Sequence, residues 1–202
     1  MSKERPKVAV FSPYALEEGT PGGVKDYIKT LRQALGRKGV EVTVIGPSIK
    51  DDQDNLADYT LGSSVNVNMK DTSYRGAATF NVFKARKIIN SEKPDNNEFH
   101  EPFANPLTVE TVSLVAQKIP QIFHFHANTE ELTRQQEILA FLARKSGFRK
   151  RVMNRASERH AVSPDTRGFW AGILEEPEDL YEVIPNPIDT ELFSYKEGEK
   201  VE

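Results

Sequence analysis

Lys7-Val8-Ala9-Val10-Phe11 is a short apolar run, followed by Ser12-Pro13-Tyr14 and the loop Glu17-Glu18-Gly19-Thr20-Pro21-Gly22-Gly23. That order predicts a strand running into a glycine-rich loop. Val24, Tyr27, Ile28, Leu31 and Leu35 then fall on one stripe of an amphipathic helix that Gly39 can end. Val40-Glu41-Val42-Thr43-Val44-Ile45 reads as a second strand before Gly46-Pro47. Strand, glycine loop, helix, strand is a βαβ unit, whose crossover sets two parallel strands side by side with the helix on one face.

The rest of the chain continues the alternation. Residues 50–76 are polar and read as an edge hairpin or a loop, with Val65-Asn66-Val67-Asn68 alternating weakly. Val82, Ala85 and Ile89 predict a helix ending near Lys93-Pro94, and Pro106 is a candidate start for another, running to about Lys118. Ile122-Phe123-His124-Phe125 is a predicted strand. A long helical stretch, 129–157, is expected before Ala161-Val162-Ser163-Pro164, a short helix from 165, and the run Tyr181-Glu182-Val183-Ile184-Pro185. The expected class is α/β, a Rossmann-like, doubly wound, mainly parallel sheet in a single domain, with ligands beyond the carboxyl ends of the strands.

Composition narrows the chemistry. The 202 residues carry 27 basic and 30 acidic side chains and a formal charge of -3, which argues against a general nucleic-acid binder. There is no cysteine, so disulfides, thiolate metal sites and a cysteine nucleophile are excluded. No apolar run reaches the roughly 18 residues of a membrane-spanning helix, and Met1-Ser2-Lys3-Glu4-Arg5-Pro6 does not resemble a signal peptide. A soluble, cytoplasmic protein, at most peripheral to a membrane, is expected. Gly-x-Ser-x-Gly, Gly-x-Gly-x-x-Gly and the P-loop pattern are all missing, against a serine hydrolase, a nicotinamide enzyme and a P-loop enzyme.

Four local features carry chemistry. Gly22-Gly23 at a helix start lets backbone N–H groups face a phosphate, although an ordinary βα turn also explains it. His124 and His126 flank Phe125 at a strand end; His126 lies in the expected ligand crevice and is the candidate for substrate contact, whereas His124 reads as a packing residue. That spacing can ligate zinc, but no known metal motif is completed, so no metal site and no cofactor are assigned. Glu101, in His100-Glu101-Pro102, could accept hydrogen bonds from sugar hydroxyls, act as a base, or be a solvated loop carboxylate. The segment 144–159, just after Leu142, holds Arg144, Lys145, Arg149, Lys150, Arg151, Arg155 and Arg159 among Phe148 and Val152, and suits either an anionic membrane surface or plain solvation.

Taken in order, these pieces resemble a known family. Val10-Phe11-Ser12-Pro13-Tyr14, Gly22-Gly23-Val24, Val42-Thr43-Val44-Ile45-Gly46-Pro47, Pro94-Asp95 leading to His100-Glu101-Pro102, Phe125-His126, Ala161-Val162-Ser163, and the run from Val183 to Phe193 containing Ile184-Pro185-Asn186-Pro187 look like the N-terminal domain of retaining GT-B glycosyltransferases, with the nearest likeness to phosphatidylinositol mannosyltransferases. The resemblance implies a domain over residues 1–190 that binds the acceptor, a linker at 191–202, and a second domain, missing here, that binds most of the nucleotide-sugar. It further implies that Gly22 and Gly23 meet the donor diphosphate, that His126 contacts the transferred sugar, and that Tyr14, Glu101 and Asn128 lie toward a glycan or lipid-linked hydroxyl acceptor. By itself such a half is expected not to turn over. The alternative is a non-catalytic α/β binding or partner module on the same scaffold. The chain departs from the family in the polar runs Asn96-Asn97-Glu98 and Ser157-Glu158-Arg159-His160, in Glu131, and in Phe103 where a polar acceptor contact is expected.

Overall fold

A computed structural model describes residues 5–16, 23–48, 55–68, 73–78, 81–103, 112–114, 116, 118–126 and 147–187. The opening unit forms as its pattern predicts. Strand β1 (Lys7–Phe11) leads to helix α1 (Gly23–Arg37) and to β2 (Glu41–Ser48), which pairs with β1 in parallel. Asp26 in the first turn of α1 and Arg37 in its last complement the helix dipole. Gly39, at φ 78°, turns the chain out of the helix, as its lack of a Cβ permits.

The polar region beyond is the edge hairpin of the two expected forms. β3 (Tyr59–Asn68) runs parallel to β2 and pairs antiparallel with β4 (Ser73–Ala77). Helix α2 (Val82–Glu92) starts on the side chain of Asn81, which accepts the Lys84 N–H at 2.9 Å, and stops at Lys93 in the left-handed conformation. β5 (Asn96–His100), β6 (Gln121–Phe125), β7 (Glu158–Ala161) and β8 (Glu182–Val183) complete the sheet in order β4-β3-β2-β1-β5-β6-β7-β8. Among these pairings β3–β4 alone is antiparallel, so the sheet is mainly parallel and Rossmann-like.

One expectation is corrected. The basic stretch is not a continuous helix to 157: α3 (Phe148–Met153) ends at Asn154, where the Arg155 and Ala156 N–H groups reach back to the carbonyls of Val152 and Met153, and Glu158 already belongs to β7. Arg159 is thereby removed from any basic helix face. It pairs with Glu176 at 3.5 Å and donates to the Met153 carbonyl. The rest of the stretch before residue 147 lies outside the described residues, as does the expected helix from Pro106 apart from a helical turn at 112–114 and the non-helical positions 116 and 118. Helix α4 (Pro164–Leu174) takes Ser163 as its N-cap, with Pro164 in the first turn.

The two faces of the sheet differ. Ala9, Phe11, Ile45, Phe99, Phe123 and Phe125 point to one face and join Ala85 and Ile89 of α2 and Trp170 of α4 in the larger core. Phe103, read in the sequence as a departure from a polar acceptor contact, belongs to this core and sits 6.2 Å from Phe125 and 5.9 Å from Trp170. On the other face Val8, Val10, Val42 and Val44 pack beneath Val24, Tyr27, Ile28 and Leu31 of α1.

Candidate functional site

The strand order reverses at β1, because the chain goes outward through β2, β3 and β4 and returns to β1's other side as β5. Such a reversal opens a crevice at the carboxyl ends of the two strands. Tyr14 follows β1 into that region and bridges to Gly76 of the hairpin. Glu101 follows β5, and His126 follows β6 as its first residue beyond the strand.

His126 is held from three sides. Its backbone N–H donates to the Glu101 carboxylate, its Nε2 lies 2.8 Å from His100 Nδ1, and its Nδ1 lies 3.3 Å from Asn186 Oδ1. Glu101 takes φ 44° and is 1% exposed, so the solvated-loop alternative for it does not hold. Its carboxylate is turned onto the backbone that begins the loop after β6.

Burial first, and the neighbouring His124 second, lower the His126 pKa to about 4. The imidazole is therefore neutral near pH 7, and the amide oxygen of Asn186 can only accept, so the proton sits on Nδ1. His126 Nε2 is then an acceptor, and His100 Nδ1–H donates to it. His100 is fully buried, and burial followed by the nearby histidines keeps its pKa well below the ordinary value.

The register joins all four histidines of the chain. His100 pairs with His124 and His124 with His160 across β5, β6 and β7, and His126 follows just beyond. His124, expected as a simple packing residue, stacks on His100 at 4.7 Å and faces Glu98, so it packs within a polar cluster. The α1 residue Tyr27 roofs the cluster, edge-on to His126 at 4.8 Å and to His100 at 5.2 Å. Burial, then the Glu98 carboxylate, push the Tyr27 phenol up to about 12.

The sequence-predicted residues are thus partly assembled. His126 and Glu101 meet directly, and Gly23 opens α1 one turn before Tyr27, which touches His126. A Cβ added to Gly23 would meet nothing within 4 Å, so the helix start is open on that side. Gly22, Asn128 and Glu131 lie outside the described residues. Glu98, His160 and Asn186 were not singled out as site residues from sequence. Among the described residues, Glu98, His100 and His124 are the group whose ligand atoms converge closely enough for a metal ion.

Solved structures share this architecture. The chain superposes on the catalytic domain of starch synthase IV from Arabidopsis thaliana, bound to ADP and acarbose, with a TM-score of 0.54 and 15% identity, covering 94% of this chain and 53% of that one. An alpha-glucosyltransferase in complex with UDP-glucose and DNA containing an abasic site matches at 0.53 and 16%, over 94% and 45% of the two chains. UDP-N-acetylglucosamine 2-epimerase from Rickettsia bellii matches at 0.53 and 14%, over 88% and 44%. At such identities the likeness is one of fold, and the chain spans about half the length of these proteins. No curated protein matches the sequence significantly. The profile of Glycosyltransferase Family 4 matches residues 21–192, most of the chain, and the chain belongs to that family.

Proposed function

We propose that the chain is the acceptor-side half of a glycosyltransferase that moves a sugar from a nucleotide-sugar to a hydroxyl acceptor with retention, a second domain supplying the rest of the donor site. The observation that carries this reading is the contact between Tyr27 and His126, which ties the glycine start of α1 to the histidine at the end of β6. A diphosphate on the Gly23 amide would sit one helical turn from Tyr27, the ring that touches that imidazole.

The chemistry is the one the family resemblance implies. The acceptor oxygen bonds to the anomeric carbon as the carbon–oxygen bond to the diphosphate breaks, and the acceptor's proton passes to the departing phosphate on the same face. Amides fixed toward the diphosphate stabilise its developing charge, and one such donor is worth about 3 kcal/mol in other enzymes. Neutral His126 offers its Nδ1–H to a sugar oxygen once exposed Asn186, held at a long 3.3 Å, gives way. Glu101 acts as a positioning residue through the His126 amide, while Tyr14 and Asn128 keep acceptor-facing roles.

The finer likeness to phosphatidylinositol mannosyltransferases points to mannose and a lipid-linked acceptor. Exposed Lys150 and Arg151 of α3 support a peripheral contact with the anionic inner face of the plasma membrane. Co-sedimentation with anionic but not neutral vesicles is the expected result for that contact. The main reading is tested by assaying sugar transfer from nucleotide-sugars with this chain alone and with a C-terminal GT-B domain joined to it. Turnover only in the joined protein is expected; transfer by the chain alone would refute the split site.

A further inference from the structure

Glu98 and His100 are two residues apart on β5 and so share a face, and His124 is the register neighbour of His100 on β6. All three are at least nine-tenths buried, at 8%, 0% and 6% exposure. Glu98 Oε2 lies 3.3 Å from His124 Nε2 and 4.0 Å from His100 Nε2. The contact at 3.3 Å is close enough for an ion pair, yet it is not aligned as a hydrogen bond. Among the described residues, Glu98 Oε2, His100 Nε2 and His124 Nε2 are all left without a hydrogen-bond partner.

Three buried, unpartnered polar atoms aimed at one point are costly unless something cationic satisfies them. His100 Nδ1 is engaged by His126 Nε2 at 2.8 Å, so His100 Nε2 is the ring nitrogen left facing the carboxylate oxygen.

We infer that Glu98, His100 and His124 form a binding site for a divalent transition-metal ion, zinc(II) suiting the ligand set best. Two imidazoles and a carboxylate are ordinary zinc ligands, and bonds of roughly 2.0–2.1 Å place neighbouring ligand atoms about 3.3 Å apart in a tetrahedron. The three atoms here lie within 4.8 Å of one another, so binding requires the two stacked rings to tilt together. The outer contact also fits: a metal-bound histidine ordinarily donates its other ring N–H, as His100 does to His126. The ion would pin β5 to β6 beneath His126 and fix the tautomer of that ring. This inference does not depend on the sugar-transfer reading.

The test is titration of chelator-treated, dialysed protein with zinc(II), and with cobalt(II) as a visible-absorbing probe. One equivalent per chain is expected, cobalt giving the intense d–d bands of a four-coordinate site. Loss of an outer contact alone weakens metal sites 10–100-fold, so Glu98→Gln and His124→Gln should each weaken binding by more than about 100-fold. His160→Gln, in the same histidine row but not among the three converging atoms, should bind as the unaltered chain does. Should a variant fail to fold, X-ray absorption of the zinc-loaded unaltered protein decides the matter instead, the expected spectrum showing two imidazoles bound to the ion. No stoichiometric binding, or binding that survives both substitutions, would overturn the site; either outcome alone is enough.

Discussion

The face of the sheet beneath α1 has two halves built on the same geometry from different chemistry. Across β1 and β2 it presents Val8, Val10, Val42 and Val44; across β5, β6 and β7 it presents Glu98, His100, His124 and His160. Both halves are largely buried, and Tyr27 touches the second while packing in the first. The aliphatic half stabilises by removing apolar surface from water, about 25 cal/mol per Å². The polar half gains little that way. It lies next to the strand-order reversal.

The sharpest way to break this contrast is to make the polar half apolar. In metal-free protein, His124→Leu leaves the Glu98 carboxylate buried without the imidazole 3.3 Å away and should cost about 3–5 kcal/mol. Joint Glu98→Leu/His124→Leu replacement should recover most of that loss in urea unfolding. If the double variant is no more stable than the single, the polar half is itself a stabilising element.

Next in size is the aliphatic half. Ile28 is fully buried among Val10 and Val44, and Ile28→Ala should cost about 2–5 kcal/mol by the same measurement while leaving metal binding unchanged. A loss of metal affinity would show that the halves are coupled through α1.

The smallest effect belongs to the opposite face. Burial first, then the hydrogen bond to Glu176 at 2.8 Å, raise the Tyr181 pKa above its ordinary 10.0. Since the folded value exceeds the unfolded one, this contribution is fully present below pH 10 and is lost as pH rises through the folded value. Tyr181→Phe should cost about 1 kcal/mol near neutrality and flatten the loss of stability in alkali. Equal alkaline slopes for the two proteins would contradict that assignment.

The first βαβ unit was legible because Val8, Val10, Val42 and Val44 alternate as strands do and the Val24-to-Leu35 stripe has helical spacing. The hairpin was half legible, since Val65-Asn66-Val67-Asn68 alternates but no local signal decides whether it pairs. The polar strands were harder. Asn97 and Glu98 are buried polar residues on a central strand, a placement their own side chains do not announce; in the register Asn97 lies beside Gln121, whose side chain donates to the Ser113 and Ala116 carbonyls. Register between strands separated by a crossover is not written in local sequence, so the row His100, His124, His160 was invisible although each histidine could be read. His126 was legible as a strand-end residue. The role of Asn186 was not, because it comes from the turn after β8, sixty positions along the chain.

The claim at the centre is that His126, held by Glu101 and His100 and roofed by Tyr27, acts on the transferred sugar. It is tested most directly by the kcat of a two-domain enzyme containing this chain, with and without His126→Ala. Removing one such hydrogen-bond donor should lower kcat by about 100-fold with a smaller change in KM. An unchanged kcat would contradict the account.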